Sequence, residues 1–266
     1  MKAIFLSDVH LQSKRDPGYK DLMAFLGGIS GNNDAGKAQE PGKWGLVPTP
    51  RIAIDCLFLG GDFFDFWFCR NDQVYPDFVE VIERLGEIQA AGVPVSLCEG
   101  NHDFYLAEYF SLSRGMTVFP EFAVLDMDGQ RILLSHGDTI DRRNRKYLLL
   151  RKLLRSRTLY RLQRRIPLPL LWRLARISSR MSKELTIASR EALAKKMRSF
   201  SGEKFQDGFD AVILGHCHLP LLEESLLGGQ KKVFATLGDW NEHRSYLYYE
   251  DGRFSLSSYR LPGSPE

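Results

Sequence analysis

The chain has 266 residues, 44% hydrophobic and 26% charged, a length and composition that can bury a proper core and that exclude disordered, fibrous and disulfide-stapled classes. No apolar run reaches the roughly 18 residues of a membrane span, and the four cysteines show neither zinc-ribbon nor redox spacing. The net charge of +3 hides a division, because residues 142–198 hold 19 Lys/Arg against 2 Glu, whereas the remainder holds 17 basic against 31 acidic residues.

In chain order, residues 3–7 read as a buried strand that runs straight into a polar motif, with no signal-peptide pattern before it, so a cytoplasmic location is the expectation. Asp16-Pro17 reads as an N-cap followed by proline in the first helical position. Residues 30–50, rich in Gly, Asn and Pro, predict a surface loop. The runs 52–59 and 93–98 predict strands, with a helix over about 76–91 between them. Cys56 and Cys98 lie in those strand-like runs and read as reduced, buried thiols. Asp128-Gly129 between 122–127 and 131–135 is a two-residue hairpin signal. The end repeats the pattern with strands over 211–214, 233–237, 246–249 and 254–258, the last two separated by Asp251-Gly252. Strands and helices that alternate and then give way to hairpins predict an α/β sandwich with mixed sheets.

Residues 142–198 differ in kind. Leu149/Leu153, Leu150/Leu154 and Leu170/Leu174/Ile177/Met181/Leu185 fall at helical spacing among Arg and Lys, and Pro167 and Pro169 break the run into two halves. The segment reads as an inserted, basic helical cap on a single domain spanning 1–266. A basic segment on an acidic body marks a surface for an anionic partner, whether nucleic acid, membrane or phosphorylated substrate. Helices that merely pack their apolar stripe on the body would give the same pattern.

Five polar clusters each follow an apolar run: Asp8-Val9-His10, Gly60-Gly61-Asp62, Gly100-Asn101-His102-Asp103, Ser135-His136-Gly137-Asp138 and Gly215-His216-Cys217-His218. They hold five of the six histidines of the chain. Open α/β sheets place their sites in the loops beyond strand ends. A mixture of Asp, Asn and His without thiolate suits manganese, iron or zinc. Two such ions about 3.5–4 Å apart can hold a phosphoryl group, generate hydroxide near neutral pH and offset developing charge.

The series D-x-H, G-D, G-N-H-D, H-G-D and G-H-x-H, from Asp8 to His218, resembles the signature of the calcineurin-like metallophosphoesterases. The resemblance implies a four-layer α/β/β/α sandwich holding two divalent cations. One would take Asp8, His10, Asp62 and His218; the other would take Asp62, Asn101, His136 and His216, with Asp62 bridging. His102, with Asn101 beside it, would act on the leaving group as an acid or electrostatic stabiliser. Asp103 and Asp138 would orient ligands, with a plain turn role as the alternative for each.

Within that superfamily, the aromatic run Asp62-Phe63-Phe64-Asp65-Phe66-Trp67, the basic insert and Leu237-Gly238-Asp239-Trp240 resemble the bacterial UDP-2,3-diacylglucosamine pyrophosphatases of lipid A synthesis. That resemblance implies manganese as cofactor and a lid over the acyl chains. It also implies attack of water on the α-phosphorus, releasing UMP and 2,3-diacylglucosamine 1-phosphate. The partners implied are a UDP-linked acylated sugar and, through the basic lid, the cytoplasmic face of the inner membrane; few aromatics interleave the basic residues, which speaks against nucleic acid. His102 departs from the arginine that follows the asparagine in well-studied members. Trp240 and His243 are candidates for lining the pocket, and for Trp240 a plain packing role is an equal reading. The alternative reading is a soluble nucleotide or phosphodiester hydrolase of other specificity.

Overall fold

The strands in the middle of each sheet are apolar and buried on both of their sides, and the reason is visible in the layering. A computed structural model describes residues 1–31, 51–185 and 190–261. Strands β1 (Lys2–Leu6), β4 (Cys56–Leu59), β5 (Val95–Cys98) and β6 (Thr117–Phe119) run parallel in a six-stranded sheet. Strands β12 (Ser245–Glu250) and β13 (Arg253–Ser258) complete it in antiparallel fashion, in the order β13-β12-β1-β4-β5-β6. A second sheet has the order β10-β11-β9-β8-β7, from β7 (Phe122–Met127), β8 (Gln130–Ser135), β9 (Ala211–Leu214), β10 (Pro220–Leu227) and β11 (Gln230–Leu237).

Side chains alternate across these strands with the period of two that a pleat imposes. Ala3 and Phe5 face the second sheet and meet Leu134, Ile213 and Ala235 there, whereas Ile4 and Leu6 face outward. The outward face is covered by α1 (Tyr19–Gly28), α2 (Val79–Ala90) and α3 (Ala107–Phe110) through Leu22, Phe25, Val81, Leu85 and Phe110. The outer face of the second sheet is covered by α7 (Arg190–Gln206), whose Met197 packs on Val212, Leu214 and Phe234. The result is the four-layer α/β/β/α arrangement. Because the parallel pairs keep level registers, Leu6, Leu59 and Leu97 end together in one sheet, and Ser135, Leu214 and Thr236 in the other.

Most elements fall where the sequence places them, with informative exceptions. The 52–59 run divides into β3 (Ile52–Ile54), paired with β2 (Ile29–Gly31) in a small sheet of its own, and β4. Asp55 makes the break: its N–H donates to Lys2 O at 2.8 Å while its carboxylate accepts the Lys2 N–H at 2.7 Å. Helix α1 opens at Tyr19 and not at Asp16-Pro17, because the Asp16 carboxylate turns back to accept the N–H groups of Gln12 and Ser13. The 30–50 loop lies largely outside the described residues. The hairpin at Asp128-Gly129 is as expected, with both residues at positive φ (52° and 77°).

The 142–198 segment contains α4 (Arg145–Leu154), α5 (Arg157–Gln163), α6 (Leu168–Leu185) and the first half of α7. Besides the break before Pro167 there is one at Ser156, whose side chain caps α5 by accepting Leu159 N–H. Trp240 does not line a pocket. It is 1% exposed, packs against Phe25 and Tyr259, and donates from Nε1 to Gly18 O at 2.9 Å. Trp240→Ala should therefore cost about 3–5 kcal/mol of stability, read as a lowered urea midpoint. A cost below about 1 kcal/mol would show that the C-terminal loop is not anchored through this ring.

Candidate metal centre

All five polar clusters sit just past the level strand ends, so the two sheets together bring them to one place. Asp8 and His10 follow β1, Asp62 follows β4, Asn101 and His102 follow β5, His136 follows β8, and His216 and His218 follow β9. The loops must turn sharply to aim these side chains inward. Asp8, His10, Asp62, His216 and His218 all have positive φ, between 47° and 66°, at about 1–2 kcal/mol each for an L-residue. Backbone bonds enforce the turns: Asp8 N–H donates to Gly61 O at 3.1 Å and His10 N–H to Asp62 O at 2.9 Å. Gly100 is required by space, since a Cβ there would lie 2.1 Å from Asp62 Oδ1.

Asp103 fixes the most central of these loops. It is fully buried, and its carboxylate accepts the N–H groups of Asp62, Phe63, Phe64 and Gly100 at 2.7–3.0 Å. Phe63, Phe64, Phe66 and Trp67 anchor the same loop in the core beneath.

The donor atoms form two sets. Asp8, His10 and His218 make one, and Asp62, His136 and His216 the other, the ligand atoms within each lying inside 4.8 Å of one another. Asn101 joins the second set, its Oδ1 3.0 Å from His136 Nε2. Asp62 stands between the sets: one oxygen, Oδ2, is 3.2 Å from His136 Nε2 and 3.7 Å from His10 Nε2, while Oδ1 accepts the His102 N–H at 2.8 Å. Asp8 is held likewise, by Ser7 Oγ at 2.5 Å and the His216 N–H at 2.9 Å.

Whether these residues fit metal ions can be asked of the atoms themselves. Nε2 of His10, the nitrogen that faces Asp8 and Asp62, is buried without a hydrogen-bond partner among the described residues, which is costly unless something else binds it. Imidazole nitrogen, carboxylate oxygen and amide oxygen converge with no thiolate, the donor chemistry of a borderline divalent ion. The fit is good.

Two carboxylates unassigned from sequence belong to the site. Asp65 Oδ1 is 3.6 Å from His10 Nδ1, and the Asp65 carbonyl lies 3.1 Å from His102 Nδ1. Asp239, after β11, has Oδ2 3.6 Å from His218 Nδ1 and 3.1 Å from His243 Nδ1. A carboxylate or carbonyl behind a ligating imidazole fixes its tautomer and orientation. The signal was available as Asp-x-x-Asp at 62–65 and Gly-Asp at 238–239, but such pairs are common turn sequences. Asp138 accepts from Tyr147 Oη at 2.8 Å and Arg151 Nε at 2.6 Å.

A family description, calcineurin-like phosphoesterase, matches residues 1–220. The chain belongs to that family. Its members use divalent metals, in keeping with the donor sets above. The chain is 26% identical over 270 residues to a UDP-2,3-diacylglucosamine hydrolase of Pseudomonas fluorescens, covering 98% of this chain and 99% of the relative. It is 29% identical over 263 residues to the protein of that name from Aeromonas salmonicida, covering 98% and 95%. Among solved structures, an archaeal phosphodiesterase aligns over 97% of this chain and 99% of its own with 11% identity and a TM-score of 0.45.

The metal-free phosphoesterase centre has opposed titrations. Burial opposes a charge on His136, but Asp62 beside it, with Asp8, outweighs burial and lifts the imidazole to about 10. Asp62, although buried, is held well below the usual carboxylate range by His136, His102 and His10. Burial and the nearby His136 push His216 down to about 4, and burial lowers His10 as well. The unfolded chain takes up a proton on such histidines near pH 6.5, whereas the fold refuses one on His216 until about 4. Unfolding is thus favoured by protons at His216 in that window, so this group by itself gives the metal-free protein a slope of falling stability from about pH 6.5 toward 4, against Asp103, which burial and Asp62 push up to about 8 and which acts in the opposite sense. His216→Gln should flatten this slope, read as urea midpoints at pH 7 and 5 in the presence of chelator; an equal slope in the variant would refute the assignment.

Proposed function

We propose that the chain is a dinuclear-metal hydrolase that splits the diphosphate of UDP-2,3-diacylglucosamine into UMP and 2,3-diacylglucosamine 1-phosphate, with manganese as its metal. The observation that carries this reading is the pair of donor sets meeting at Asp62, in a chain whose whole length matches relatives named for that substrate. Asp8, His10, Asp62 and His218 would hold one ion, and Asp62, Asn101, His136 and His216 the other. When bound, the ions lower the pKa of water and offset charge on the phosphoryl oxygens.

The chain's own groups supply the rest. His102 presents Nδ1 to the Asp65 carbonyl, and a carbonyl only accepts, so Nδ1 carries a proton and Nε2 is left for the substrate. The ring is thereby placed to act as an acid or electrostatic stabiliser toward the leaving phosphate oxygen. His10, edge-on to His102 with centroids 4.9 Å apart, limits where that ring can swing.

The basic segment supports a lipid-linked substrate. Leu149, Leu150, Leu153, Leu162, Leu170, Leu174 and Ile177 are exposed by 48% to 70%, among exposed Arg and Lys side chains. Apolar side chains ringed by cations are what a peripheral helix offers to an anionic bilayer, here the cytoplasmic face of the inner membrane. No helix among the described residues is long and apolar enough to cross a membrane. Nucleic acid is a poorer fit, because the aromatics of the segment turn inward: Tyr147 to Asp138, Tyr160 to Glu108, and Trp172 Nε1 to Phe68 O.

The deciding experiment is product analysis on UDP-2,3-diacylglucosamine with Mn²⁺. UMP should be released, and Asp62→Asn should abolish both turnover and most metal binding. Cleavage of the deacylated substrate at an undiminished rate would replace this reading by that of a soluble nucleotide hydrolase. Neutralising Arg145, Arg157, Arg161 and Arg165 to Gln, at about 1 kcal/mol each near an anionic surface, should weaken binding to phosphatidylglycerol vesicles by up to about three orders of magnitude. Hydrolysis of a small chromogenic diester should be spared. Unchanged vesicle binding would remove the membrane role of the segment.

A further inference from the structure

The basic segment is usually read by its outer surface, yet its first helix also has an inner one. Tyr147, Arg151 and Arg155 stand at spacings of four, so they share one side of α4 and its C-terminal end. Tyr147 and Arg151 both bond Asp138, two residues beyond His136. Arg155 reaches the other metal-bearing loop. Its Nη2 donates to Gly100 O at 2.6 Å, and its Nη1 to Glu99 Oε2 at 3.0 Å and Pro120 O at 3.1 Å. The Arg155 carbonyl in turn accepts from Tyr105 Oη at 2.5 Å, and the guanidinium lies over the Phe104 ring, 5.2 Å from its centroid.

These contacts fall on the peptide that leads into Asn101. The Gly100 N–H is held by Asp103 Oδ1 at 2.9 Å, and its carbonyl by Arg155. Glycine has no side chain with which to brace the peptide planes on its two sides, so each is set from outside: the Glu99–Gly100 plane by Asp103, and the Gly100–Asn101 plane by Arg155. The Arg155 and Glu99 side chains are only 14% and 7% exposed, so water competes weakly for the bonds between them. A planar guanidinium can serve carboxylate and carbonyl at once, which an ammonium cannot do with the same geometry.

We propose that Arg155 is a positioning residue for the metal centre: it fixes the Gly100–Asn101 peptide, and through it the amide oxygen of Asn101 and the ring of His102. This rests on the reading of Asn101 and His102 as working groups in phosphoester cleavage, and not on the identity of the substrate. Leu149 and Leu153, 70% and 59% exposed, lie on the opposite side of α4, so one helix joins the outward apolar surface to the loop that carries the acid.

The test compares the parent with Arg155→Leu and Arg155→Lys. Equilibrium dialysis measures Mn²⁺ binding to the chelator-stripped proteins, and steady-state kinetics use bis(p-nitrophenyl) phosphate at saturating Mn²⁺. Arg155→Leu should weaken Mn²⁺ binding about 10–100-fold, the usual cost of losing a group that orients a ligand. It should lower kcat by a similar factor with KM changed less than about twofold. Arg155→Lys keeps a cation for Glu99 but loses the fork, and should fall between. A lowered melting temperature with parental Mn²⁺ affinity and kcat would overturn the proposal, leaving Arg155 a merely structural contact. If Arg155→Leu fails to fold, Arg155→Lys decides alone, and parental values for it overturn the proposal. Neither readout involves UDP-2,3-diacylglucosamine, so a wrong substrate would fail the earlier experiment and leave this one intact.

Discussion

Asp62 is the point on which the molecule turns. Its carboxylate is withdrawn from water yet held ionised, because imidazoles from two different sheets face one of its oxygens while the His102 amide grips the other. A buried anion so placed is tolerable only when it is surrounded by donors or cations. The level ends of the strands, the tight loops beyond them and the Asp103 cradle all serve to hold that surrounding in place. The sandwich around it is built to bring two sets of loops to one carboxylate.

Much of this could be read from the chain, because the features that matter most have strong local signatures. Strands buried on both faces appear as unbroken apolar runs, and polar clusters that follow them stand out by contrast; Asp8, Asp62, Asn101, His136 and His216 were legible for that reason. What was not legible depends on partners distant in sequence. β10, an edge strand carrying Glu223 and Glu224, has no apolar alternation to reveal it. Asp65 and Asp239 look like turn residues until the rings of His10 and His218 are set beside them. For Trp240 the sequence leaves pocket and packing equally open, and packing holds because Gly18 and Phe25 come to meet it.

The basic segment shows how composition can mislead about direction. Nineteen positive charges in 142–198 read as one surface, but Arg151 and Arg155 point inward, to Asp138 and Glu99. Their contribution is local and directional, through short hydrogen bonds in a partly dry setting, whereas the outward charges act diffusely and are screened by salt. Ionic strength should therefore divide the segment's arginines into two populations that sequence cannot separate.

The left-handed backbone at Asp8, His10, Asp62, His216 and His218 bears on how the centre could drift in evolution. Asp, Asn and His are among the residues that enter this conformation most readily, and glycine enters it freely. The backbone thus admits nearly the same short alphabet that metal coordination does, and a bulky or β-branched replacement is excluded twice over. Lineages that abandon the chemistry should pass through Asn or Gly at these sites before anything else, and replacement by alanine there conflates the loss of a donor with the strain of a Cβ in the wrong half of conformational space.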